Sequence, residues 1–63
     1  MRQIISNFRR MANNADRRAA MLEASAKEMK HTNKALAISS ARLARAMRRD
    51  AKNYRQWAGE LSK

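Results

Sequence analysis

A chain of 63 residues and 7.3 kDa, without cysteine or proline and with one glycine and one histidine, makes one small domain held by neither disulfides nor a tetrahedral zinc site. Fifteen lysines and arginines against five acids leave a formal charge of +10, so a partner chosen by charge is an anion. Of the acids Asp16, Glu23, Glu28, Asp50 and Glu60 no two are adjacent, the one pair within five positions, Glu23 and Glu28, has an offset that does not share a helix face, and His31 stands alone, so no enzyme activity, metal or cofactor is expected.

Residues 1–63 read as a single all-α domain. The start Met1-Arg2-Gln3-Ile4-Ile5-Ser6 has no apolar run of signal-peptide length. No stretch reaches the ~20 apolar residues of a spanning helix, and a cytoplasmic chain is expected. A first helix is predicted over about 2–30, where strong helix formers dominate and Ile5, Phe8, Ala12, Ala15, Ala19, Leu22, Ala26 and Met29 recur in steps of three and four. The segment Lys30-His31-Thr32-Asn33-Lys34 has the poorest helix propensity and places a turn at about 31–33. Thr32 or Asn33 is the candidate N-cap of a second helix, and Lys27, Lys30 and His31 suit the negative end of the first helix's dipole. That second helix is predicted over about 33–60, with Ala37, Ser40, Ala44, Met47, Ala51, Tyr54, Ala58 and Leu61 in the same rhythm. Gly59, near its end, is placed to help the helix stop or fray.

Each half repeats every seven residues with alanine at one recurring position, at 12, 19 and 26 and again at 37, 44, 51 and 58. Folding the chain about the 31/32 junction pairs positions totalling about 63, so that Ala26 meets Ala37, Ala19 meets Ala44, Ala12 meets Ala51 and Ile5 meets Ala58. The layers between pair Leu22 with Ser40, Ala15 with Met47, Phe8 with Tyr54 and Met1 with Leu61. The prediction is an antiparallel two-helix hairpin with an Ala-rich coiled-coil seam, its helices near the low end of the usual spacing of about 8–10 Å. One unbroken helix of about 94 Å, paired with a second copy, would give the same layers. A short turn costs little closure entropy, which favours the hairpin. Leu36, Leu43 and Trp57, with Ile4, Met21 and Ile38, fall beside the seam, and burying that second stripe predicts a homodimer in the form of a four-helix bundle.

The arginines carry the functional expectation. Arg42, Arg45, Arg49 and Lys52 follow helical spacing, as do Arg45, Arg48, Lys52 and Arg55, and the register brings Arg9, Arg10, Arg17 and Arg18 of the first helix to the same end of the hairpin. Ten of the fifteen cations are arginine, whose planar fork suits phosphate, and Asn7, Asn13, Asn14, Asn53 and Gln56 lie among them with amides for sugars or base edges. A solvated charged stripe normally mixes its signs, whereas the open end here carries about +9 with only three acids, a self-repulsion that a polyanion would relieve. The leading expectation is therefore a small regulator or architectural protein that binds DNA or RNA as a homodimer, chiefly through backbone charge and shape, because no helix-turn-helix, zinc-finger or RNP signature is present. The alternative is an adaptor or inhibitor of the phage or mobile-element type, docking on an acidic host protein with Trp57, Leu36 and Leu43 as anchors. A narrow, alanine-rich apolar face argues against membrane insertion. Tyr54 reads as core against Phe8, whereas Trp57 fits a core plug or an exposed anchor equally well, and the methionines read as adaptable filler. For stability, Ala19→Leu or Ala44→Leu is expected to be more damaging than Leu43→Ala, because overpacking a close seam forces the backbones apart.

Overall fold

The computed structural model describes residues 2–63, in which two helices of equal length lie antiparallel: α1 over Arg2–Met29 and α2 over Lys34–Leu61. Each element starts or ends within one residue of its expected boundary. The turn between them uses backbone groups that a helix end leaves free: the Thr32 and Asn33 N–H groups donate to the Met29 carbonyl at 3.2 and 2.8 Å. Of the two candidate caps, Asn33 is the one used, its side-chain Oδ1 accepting the Leu36 N–H at 3.2 Å. At the other end Gly59 lies inside α2, with no left-handed backbone; the Ser62 N–H closes the helix on the Ala58 carbonyl at 3.1 Å, and its hydroxyl donates to the Gly59 carbonyl.

The bend excludes the single rod of about 94 Å, for the Cα atoms extend over 47 × 13 × 10 Å. Where the arms meet, the seam consists of methyl groups. Ala12, Ala19 and Ala51 are fully buried, Ala58 and Ala44 are 1% and 2% exposed and Ala37 8% exposed, while Ile5 and Ala26 are half-buried. Phe8, Ala15 and Leu22 of α1 and Ser40, Met47 and Tyr54 of α2 are half-buried around this line, as the register requires. The Met1–Leu61 layer falls outside the described residues. Among the described residues no large side chain is fully buried, so the hairpin's own core is little more than a row of alanines.

A seam this narrow leaves two broad faces, assigned by the helical period. Residues four positions after each seam alanine flank it on one side: Asp16 and Glu23 on α1, Ala41, Arg48 and Arg55 on α2, with Arg9 four after Ile5. Residues one position before each seam position flank it on the other: Ile4, Met11, Arg18 and Ser25 on α1, Leu36, Leu43, Asp50 and Trp57 on α2. The first face is polar and the second largely apolar. The molecule is thus a slab with two chemically different sides.

Candidate nucleic-acid interface

On the polar face the two helices are joined by a chain of ion pairs. Arg48 grips Glu23 with two donors, Nε at 3.2 Å and Nη2, while its Nη1 lies 3.5 Å from Asp16. Arg55 donates through Nη2 to Asp16 and, at 3.2 Å, to the Asn13 side-chain carbonyl. The geometry comes from helix stereochemistry. Side chains lean toward the N-terminus of their own helix, so in an antiparallel pair those of α1 lean toward the open end and those of α2 toward the turn. Glu23 with Arg48 and Asp16 with Arg55 both total 71, about nine positions away from the level pairs that build the seam. The long arginines cover that distance because the carboxylates lean back to meet them.

The hydrogen bond from Arg48 holds the Glu23 carboxyl below its ordinary value of 4.5; partial desolvation pushes the other way, and the charge of Arg48 adds a smaller lowering. The same hydrogen bond keeps the Arg48 guanidinium more firmly protonated than usual, with the charges of Glu23 and Asp16 reinforcing it. These groups remain a third to a half exposed, so the bridges fix orientation more than they stabilise.

The ten cations singled out by the sequence are not all on one surface. Arg9, Arg45, Arg48, Lys52 and Arg55 share the polar face, where Arg9, Asn13, Arg55 and Gly59 line a shallow concavity near the open end. Arg10 and Arg17 run along the outer edge of α1, and Arg42 and Arg49 along that of α2. Arg18 is separated from all of these: it lies on the apolar face, where it lines depressions with Met11, Met21, Leu43, Met47 and Asp50. All ten are exposed. Only Arg48 and Arg55 pair with acids; among the described residues the other eight form no ion pair. Level matching along the seam puts Arg48 beside Asp16 but gives no sign of Arg48 with Glu23 or Arg55 with Asp16, and the sequence pattern alone missed those two pairs.

The three proposed anchors are about half exposed: Leu36 and Leu43 at 48% and Trp57 at 46%. Trp57 is nevertheless held in an aromatic cluster, its ring centroid 5.8 Å from both Phe8 and Tyr54, and Phe8 stacks on Tyr54 at 6.1 Å. It therefore packs against the other two aromatic rings at the open end while remaining half exposed. Among the described residues no group of His, Asp or Glu is arranged to hold a metal ion, and no helix is long and apolar enough to cross a membrane. Comparison with protein-family models, with curated proteins and with solved structures found no match to this chain.

Proposed function

We propose that the chain binds nucleic acid as a homodimer, two hairpins forming a four-helix bundle whose polar faces and arginine-lined edges point outward. One observation carries this reading. Both acids of the polar face, Asp16 and Glu23, are already occupied by Arg48 and Arg55, whereas Arg9, Arg45 and Lys52 on the same face have no internal counter-charge. A phosphate arriving there meets no competing carboxylate, and it meets two guanidinium groups whose positions are already fixed. The remaining acids, Glu28, Asp50 and Glu60, fall toward the other face by helical period. With no groove-reading motif, affinity comes from backbone charge, and contact with about five phosphates gives a log–log salt slope near −4.5 on duplex DNA.

Titration of labelled duplexes and hairpin RNAs at several salt concentrations tests the proposal. Arg45→Ala and Lys52→Ala are each expected to weaken binding on every sequence and to flatten the slope by about one. Absence of micromolar binding to all nucleic acids at low salt refutes it. The half-exposed Trp57, Leu36 and Leu43 favour a second reading, a protein-binding adaptor, in which Trp57→Ala is more harmful than either basic substitution.

A further inference from the structure

The apolar face carries six of the eight exposed large hydrophobic side chains: Ile4, Met11, Met21, Leu36, Leu43 and Trp57. The chain exposes 5206 Å², whereas a folded chain of its mass usually exposes about 4,200 Å². The excess of about 1,000 Å² per chain, matched by a second copy, gives about 2,000 Å² in total, the size of a stable specific interface. The polar face cannot serve, because two copies would bring like charges together. The apolar face is different. Its inner rows hold one cation and one acid, Arg18 and Asp50, both lining the same depression, and neither has an ion-pair partner among the described residues.

Their positions are related by symmetry. Lys34–Leu61 repeats Arg2–Met29 at an offset of 32 positions, so residues i and i+32 stand equally far along their helices. The inner rows obey that offset throughout: Ile4 corresponds to Leu36, Met11 to Leu43, Arg18 to Asp50 and Ser25 to Trp57. In antiparallel arms this leaves Arg18 and Asp50 five positions off level, each leaning toward the height of the other, and a two-fold axis lying in this face parallel to the helices sets α1 over the partner's α2 with that same offset. We infer that the apolar face is the interface between two copies of this chain, packed with their turns at the same end, and that Arg18 of each pairs with the partner's Asp50. Around these pairs Ile4 comes within two positions of level with the partner's Trp57, and Ser25 likewise with the partner's Leu36. The other two-fold arrangement, with the turns at opposite ends, lays α1 over the partner's α1 and α2 over its α2, so that the same lean carries Arg18 toward the partner's Arg18 and Asp50 toward the partner's Asp50. This inference rests on the dimer named above and adds its geometry.

Sedimentation equilibrium on the full chain and two variants, Arg18→Glu and Asp50→Arg, tests it, with helicity measured alongside. The wild-type chain is expected at twice 7.3 kDa. Each variant opposes like charges at two places per dimer, and its dissociation constant is expected to rise by about tenfold or more. Mixing the two variants in equal amounts restores the correct pairs only between different chains, so a heterodimer of wild-type affinity is expected. Rescue in the mixture cannot come from pairing within one chain. A wild-type chain that stays monomeric at about 100 µM, single variants that dimerise as tightly as wild type, or monomeric variants that mixing fails to rescue would each overturn the inference. The same samples are titrated with a labelled duplex: binding retained without rescue refutes only this interface, and rescue without binding refutes only the nucleic-acid proposal.

Discussion

Replacing Ala44 by leucine perturbs the molecule where it has least room. Ala44 is 2% exposed, and its level partner Ala19 is fully buried. The seam is methyl against methyl, so three extra carbons have no void to enter, and the arms must separate at mid-length or the leucine must leave its preferred rotamer. Overpacking of this kind costs about 1–3 kcal/mol, and in a chain of this size each kcal/mol moves the melting midpoint by about 4–8 °C. Ala44→Leu is therefore expected to lower the midpoint by about 4–24 °C in a thermal melt followed by helicity. The matched control is Ala24→Leu, the same chemical change at an exposed position on the outer edge of α1, where the effect stays within about 0.5 kcal/mol. Leu43→Ala, at a side chain already half exposed, is expected to cost less than Ala44→Leu at protein concentrations that hold the dimer together. Equal midpoints for Ala44→Leu and Ala24→Leu would show that the arms do not meet along the alanines.

Single groups give two further expected outcomes. Because the Glu23 carboxyl is held below its ordinary 4.5, its bond to Arg48 contributes above that value and is lost as pH falls through the lower folded value, so acid melts should show a component that Glu23→Gln removes and added salt weakens. Gly59 has helical backbone and open space where a Cβ would stand, and Gly59→Ala should raise the melting midpoint, by up to about 1 kcal/mol of stability.

Much of the fold was legible because the seam repeats. Alanine every seventh residue in both halves, with an eleven-residue step between Ala26 and Ala37, leaves few ways to bury methyl on methyl, and the weak helix formers around Asn33 mark the only economical bend. The site was less legible, for two physical reasons. Level matching describes where backbones meet, whereas long side chains meet where they lean; Asp16 with Arg55 and Glu23 with Arg48 are visible only after that lean is added. The second reason is that three-and-four spacing identifies a stripe on one helix but not which side of the partner helix it faces. Arg18 counts with Arg17 along the sequence, yet the two are a helical step of 100° apart, enough to put one on the outer edge and the other among methionines and leucines.

A row of identical methyl groups is a poor ruler. Sliding one arm past the other by a heptad would set alanine on alanine again, so apolar burial alone scarcely distinguishes one alignment from the next. The clasp of Asp16 and Glu23 with Arg48 and Arg55 does distinguish them, since the same slip would set one acid on the other arginine and leave the second acid and the second arginine without a partner. The Asn33-capped turn enforces the same choice at the closed end. Exposed ion pairs that add little to the depth of the folded state thus act as its detent, choosing one notch among equivalent ones and, with it, the spacing of every guanidinium the molecule presents.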